Sequence, residues 1–305
     1  MNKFLHIALL LITFLVSLSC ESKNLNTQSA QTPKLTPPAP QEQNRGEKQN
    51  PNIELGFPRD TSGHAEIILS RKQYVISWNY QTRNPNWAAW KLQVEDFGKA
   101  ERSSFKVDPD LKNYLADQQL TEAVSTKEYT GSCFDRGHTV PSADRNSSPE
   151  DNQPTFYMSN ITPQTSFLNQ RAWAHLENYE RDLVRGGKIL YIYSGPIYET
   201  DRGAIGTNSD IKIPSKFFKI IVASESGKKD ELIAVIMPNK TSADTWPDED
   251  RKTLCDDSKR LPSGLSKLDD WEDYQTTLED VEAQSGFKFL EKDFNNITAP
   301  VIISL

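Results

Sequence analysis

Long hydrophobic runs are what this sequence most lacks. After the apolar stretch from Leu5 to Leu18, no segment offers the roughly 20 consecutive apolar residues that a spanning helix needs. A mean hydropathy of −0.64 with 25% charged side chains argues against a multi-spanning membrane protein. Cysteine is scarce: Cys20, Cys133 and Cys255 are the only three. Basic charge is not in excess, with 35 Lys and Arg against 42 Asp and Glu and a net charge of −7. Residues 244–293 hold fifteen of those acids and seven bases, so the remainder sums to about +1. That local acidity leaves a polyanionic substrate open, but no broad basic field exists of the kind that drives tight non-specific nucleic-acid binding. No repeat period is visible.

The beginning of the chain reads as an address. Lys3 precedes the apolar run, and Ser17 and Ser19 stand before Cys20, a pattern similar to a bacterial lipoprotein signal over residues 1–19 with Cys20 lipidated. Ser17 stands where such signals usually carry Leu, so ordinary cleavage and release is the alternative. Either route leads to the cell envelope or the outside. Residues 20–52 are Gln, Asn, Thr, Pro, Lys and Ser with almost no large apolar side chains, too little to offset the entropy of ordering, which makes them a tether. Folding then falls to residues 53–305, one domain by length. In an oxidising compartment Cys133 and Cys255 can pair, or each can be a separate buried thiol; no spacing rule decides.

Within that domain, Tyr74–Tyr80 alternates bulky and polar residues as a strand does, and Trp87–Leu92 returns along it after a turn over Thr82–Asn86. Trp78, Trp87 and Trp90 are core at this spacing. Residues 103–130 read as loop, Ser148-Pro149 as a helix start, and Phe156–Ile161 as a short strand. From Ser166 to Arg185 one helix is expected, with Leu168, Ala172, Leu176, Tyr179 and Leu183 on its apolar stripe. Lys188–Gly195, Lys216–Ser224 and Leu232–Met237 read as strands covered on both faces. Thr276 and Glu279 start a last helix that ends at Gly286. His64 and His175 read as surface residues.

The chemistry concentrates elsewhere. His138 titrates near neutrality and can act as a base, Arg136 and Arg181 are permanent cations with forked donors suited to phosphate, and Asn169 can offer a carbonyl oxygen to a hard metal. Together these are the parts that phosphodiester hydrolysis needs. On a straight helix Asn169 and Glu177 lie about 12 Å and some 80° apart, too far for both to ligate one ion, while Arg181 is one turn from Glu177 and within ion-pair reach.

Asp135-Arg136-Gly137-His138, Pro141-Ser142-Ala143-Asp144-Arg145, Asn160-Ile161-Thr162-Pro163-Gln164 and Asn169-Gln170 with Trp173, Leu176 and Glu177 together resemble the DNA/RNA non-specific endonuclease family, over about Tyr74–Phe289. The resemblance implies an α+β fold of the ββα-metal type, a mixed central sheet flanked by helices. It implies His138 as general base, Asn169 as the one direct protein ligand of Mg²⁺ (Mn²⁺ being the alternative), Glu177 orienting the metal's waters, and Arg136 and Arg181 holding the scissile phosphate. Asp135 and Asn160 would support the His138 loop from behind. DNA and RNA would be cut by backbone contacts to 5′-phosphorylated products. The membrane would be met only through the lipid anchor, and an inhibitor protein is a conceivable partner. A catalytically idle envelope lipoprotein binding nucleic acid or a partner protein through the same groove is the rival reading, and action on another phosphodiester is a third. Thr139, Ile161 and Cys133 depart from the family pattern without removing a catalytic group.

Overall fold

The computed structural model describes residues 50–240 and 270–291, with the backbone of 302–304. The expectations for the leader, Cys20, the tether as far as residue 49 and Cys255 lie outside the described residues. Fourteen strands are described: β1 (Arg59–Asp60), β2 (Ile67–Ser70), β3 (Val75–Asn79), β4 (Asn84–Leu92), β5 (Asp135–His138), β6 (Ile161–Gln164), β7 (Ile189–Ile197), β8 (Ala204–Ile205), β9 (Ile211–Lys212), β10 (Lys216–Ser224), β11 (Glu231–Pro238), β12 (Gln275–Thr276), β13 (Phe287–Lys288) and β14 (Ile302–Ser304). The helices are α1 (Pro109–Asp117), α2 (Pro149–Asn152), α3 (Ser166–Asn169), α4 (Ala172–Arg185) and α5 (Leu278–Ser285).

Eight strands form the central sheet in the order β12-β11-β10-β7-β4-β3-β2-β14; every pair is antiparallel except β14 with β2, so the sheet is mixed. Strand alternation sends Ile76, Ala88, Trp90, Ile192, Phe217 and Ile221 to one face, where they meet Trp173 and Leu176 of α4. Val75, Trp87, Ala89, Tyr193, Phe218 and Ile220 point the other way, onto Val281 of α5 and onto Phe287 and Phe289. Both faces are therefore core, which is why β7 and β10 read as continuous apolar runs. Trp78, Trp87 and Trp90 are fully buried. The α+β class and the ββα unit hold.

Several local readings shift. The 103–130 stretch contains α1, started by Asp108, whose carboxylate accepts from the Asp110 and Leu111 amides, and by Pro109; only Leu111 and Leu115 bury, so its apolar signal was faint. The β3–β4 turn is tighter than read, because β4 begins at Asn84 and takes in Pro85 where the register shifts between Ser77 and Trp78, a bulge that spares proline its missing donor. The strand placed at Phe156–Ile161 instead runs Ile161–Gln164, preceded by tight turns. Thr277 rather than Thr276 caps α5, accepting from the Asp280 amide, and Gly286 at φ 76° closes it. His64 is half-buried rather than at the surface, stacked on Phe287 with Nδ1 2.6 Å from Asp60 Oδ1.

A carboxyl on the α5 side of the sheet carries a pH consequence. Glu66 is pushed up to about 7 by burial, although Ser77 Oγ donates to it at 2.6 Å. An unfolded Glu titrates near 4.5, so the neutral form stabilises the fold below that pH, and the contribution is lost as pH rises to 7. Glu66→Gln is expected to raise the melting temperature at pH 8 relative to wild type, by on the order of 2 kcal/mol of stability, and to change little at pH 4.5. Thermal unfolding across this range checks it; an equal shift at both ends would reject the buried carboxyl as the cause.

Candidate active site

β5 and β6 form a small antiparallel ribbon of their own, with Asp135 opposite Gln164 and His138 opposite Ile161, and α3 and α4 follow directly. The ribbon needs glycine at 137: a Cβ there would stand 2.1 Å from Gln164 Oε1 and 2.7 Å from its Cγ. Cys133, two residues before β5, holds φ 68°, the left-handed region that favours small residues; the departure noted there is thus a backbone position. Cys133 is disulfide-bonded.

His138 is wedged between Phe105 and Phe156, with ring centroids at 5.3 and 4.9 Å. Its Nε2 is enclosed without a partner, which leaves Nδ1 as the nitrogen with an open side. Burial, and then the Arg102 charge, push its pKa down to about 3, so the ring is neutral in the folded protein over the physiological range. Asn160 fixes the turn after it: its Nδ2 donates to Val140 O at 3.0 Å and Thr155 O at 2.9 Å, its Oδ1 accepts from Val140 N at 2.9 Å, and its carbonyl accepts from Thr139 N.

The single helix expected over Ser166–Arg185 is two. α3 ends at Asn169, and Arg171 breaks the path with φ −126° and ψ −105° before α4, so distances drawn along a straight helix do not apply. The break puts Asn169 and Gln170 onto Asp135. Asp135 Oδ2 accepts from Asn169 Nδ2 at 2.8 Å and Gln170 Nε2 at 2.9 Å, while Oδ1 accepts from Ser166 Oγ at 2.9 Å. With its N–H taken, Asn169 has its carbonyl oxygen left to offer.

On α4, Glu177 is 17% exposed and Arg181 is buried. Their contact is long, 3.9 Å, because Arg181 Nη1 is committed to Asp144 Oδ1 at 2.9 Å and Nη2 to Asn178 at 2.8 Å. Asp144, fully buried, also accepts from Trp90 Nε1 at 3.1 Å. Arg181 is therefore drawn inward instead of standing open to a phosphate. Arg136 is half-buried, with Nη2 on Thr126 O and its guanidinium 5.4 Å from the Phe105 ring. Burial raises the Glu177 pKa, opposed by the Lys219 charge, raised further by Asp144 and opposed again by Arg181 and Arg102.

Arg102, which sequence reading missed, is the exposed cation beside His138. It donates to Ser142 Oγ at 2.7 Å and lies over the Phe156 ring at 5.1 Å, and its charge acts on both His138 and Glu177. Nothing in its polar surroundings singled it out. Among the described residues no three His, Cys, Asp or Glu side chains cluster to hold a metal; an oriented Asn oxygen with a nearby carboxylate suits a hard cation that keeps most of its waters.

Residues 48–294 match the family model described as DNA/RNA non-specific endonuclease. A nuclease of Nostoc sp. is 30% identical over 247 residues, covering 77% of this chain and 77% of its own length. Human mitochondrial endonuclease G is 33% identical over 56% of this chain and 60% of its own, and a Serratia marcescens nuclease 32% identical over 62% and 70%. Among solved structures, the EndoG/EndoGI complex aligns with a TM-score of 0.58 at 21% identity, covering 82% of this chain and 94% of that one, a likeness of fold. On the extent of the family match and the full-domain similarity to the Nostoc nuclease, this chain belongs to the DNA/RNA non-specific endonuclease family.

Proposed function

We propose that the protein is a metal-dependent, sugar-non-specific endonuclease that hydrolyses DNA and RNA to 5′-phosphorylated fragments. The observation that carries this is the arrangement of Asp135, Asn169 and His138: one short ribbon both orients the Asn169 oxygen and presents a neutral imidazole.

His138 Nδ1 takes the proton of the attacking water. The imidazolium that forms is disfavoured in its aromatic cage, and the phosphodiester charge arriving beside it offsets that cost. Arg102 and Arg136 bind the scissile phosphate, and Arg181 adds its charge from below while holding Asp144 and Glu177 in place. Asn169 would hold Mg²⁺, with Mn²⁺ as substitute, and the ion would supply charge stabilisation at the phosphate and the leaving group. Glu177 would orient water on the metal side of the site. Asp135 and Asn160 keep Asn169 and the His138 turn in register. Backbone recognition without base readout fits the lack of a recognition helix among the described residues.

Incubating the purified full-length chain with plasmid and with RNA should show cleavage with Mg²⁺ that EDTA abolishes, and 5′-phosphate ends by end-labelling. Binding without metal-dependent cleavage would favour the idle lipoprotein; cleavage of small diesters alone would favour another phosphodiester. We also place the protein at the bacterial envelope through a lipid on Cys20. The sequence pattern supports this, and incorporation of labelled palmitate, lost in Cys20→Ala, tests it against release.

A further inference from the structure

One charge on the α4 side of the sheet has no place in the mechanism above. In β10, Lys219 falls in the alternation of Phe217 and Ile221, facing α4, where an aliphatic side chain would pack at lower cost. It is fully buried, its ammonium 4.5 Å from the Trp173 ring and 5.8 Å from Trp90. Its ion-pair partner is Glu180 Oε1 at 2.9 Å, also fully buried, and the contact is one of charge without an aligned hydrogen bond. A buried pair of this kind contributes little net stability over an apolar pair of the same volume. What it does contribute is charge: it sets a cation inside a cluster of Asp144, Glu177 and Glu180 whose other cations are Arg181 and, from the loop before α1, Arg102. Asp144 is matched by Arg181 at 2.9 Å and Glu180 by Lys219 at 2.9 Å. Glu177, one helical turn away and the most exposed of the three carboxylates, has its ion-pair contact to Arg181 at the longer 3.9 Å.

We propose that Lys219 is a positioning residue for the candidate active site: its ammonium lies against Trp173 and Glu180, which share one face of α4 with Glu177 at spacings of four and three, and it holds Glu177 as a carboxylate there. This deepens the reading of Glu177 as the group that orients metal-bound water, and rests on it. The charged groups facing Glu177 are Lys219 from β10, Glu180 and Arg181 on its own helix, Asp144 from the turn beyond β5, and Arg102 from the loop before α1. Burial opposes ionisation of Glu177, and Lys219 is the largest charge acting against that burial.

Two substitutions separate charge from volume at position 219. Lys219→Met removes the cation and should raise the Glu177 midpoint, while Lys219→Arg keeps the charge and should hold the midpoint near wild type. Carboxyl-labelled glutamate NMR of the full chain, with the Glu177 signal assigned by its loss in Glu177→Gln, reads this without any catalysis. The acid limb of the cleavage profile should follow, so that Lys219→Met loses about tenfold in kcat/KM on that limb and recovers at higher pH, while Lys219→Arg follows wild type. A merely structural lysine would change the melting temperature and leave the Glu177 midpoint alone. If Lys219→Met does not fold, Lys219→Gln decides: an unmoved or lowered Glu177 midpoint overturns the proposal. If the midpoints move as expected while the acid limb stays, Lys219 keeps its effect on Glu177 and the catalytic reading of Glu177 fails instead.

Discussion

Replacing His138 by alanine is expected to lower kcat for plasmid cleavage by two to four orders of magnitude, the range of a positioned proton acceptor, with little change in KM, because Arg102 and Arg136 still bind phosphate. The ring fills a slot between Phe105 and Phe156, so free imidazole in the buffer should restore part of the rate. Loss of activity without imidazole rescue and with a collapsed melting temperature would mark His138 as packing. Stability should move the other way in acid. The folded-state pKa of about 3 lies below the ordinary 6.5, so the unfolded chain binds a proton that the native protein refuses. Wild type therefore loses stability as pH falls from 6.5 toward 3. His138→Ala lacks that loss, and its deficit relative to wild type at pH 8 should shrink by up to about 2 kcal/mol at pH 5. Equal deficits at both pH values would contradict the buried neutral ring.

The motif residues were legible because their spacing survives folding: Asp135–His138 is one strand, Asn160 sits in the turn before the next, and Glu177 and Arg181 share a helix. What sequence could not show was set by tertiary contacts. The helix break after Asn169 carries no glycine or proline, and the apolar stripe 168, 172, 176 continues across it at a spacing of four; Asp135, 34 positions earlier, pulls the chain out of line. Arg181 reads as a phosphate cation until Asp144, fully buried, claims it. Arg102 belongs to no periodic element, so only the folded structure brings it beside His138. Lys219 was hidden by a pattern read as aliphatic. The strand itself, Lys216–Ser224, was read to the residue, since β-branched and aromatic side chains filling both faces leave few other options.

The second large effect concerns the Asn169 oxygen. Removing it, in Asn169→Ala, should cost at least about a hundredfold in rate at any Mg²⁺ concentration, since no other side chain among the described residues is placed to substitute. Asp135→Ala separates orientation from ligation. Without the carboxylate, the Asn169 and Gln170 amides and the Ser166 hydroxyl lose their common acceptor, and the Asn169 amide is free to turn its N–H toward the cleft, where it repels a cation. The Mg²⁺ concentration for half-maximal rate should rise about 10- to 100-fold, the usual effect of removing an outer partner of a metal ligand, with most of kcat recovered at saturating Mg²⁺. Asp135→Asn should lie between Asp135→Ala and wild type: its carbonyl can face Asn169 and Gln170 while its amide donates to a Ser166 hydroxyl turned round to accept, so the orientation survives and only the charge assistance is lost. An Mg²⁺ titration of the four proteins orders them. If Asp135→Ala kept the wild-type midpoint, the amide would be held by something other than Asp135, and the link between the ribbon and the metal would be lost.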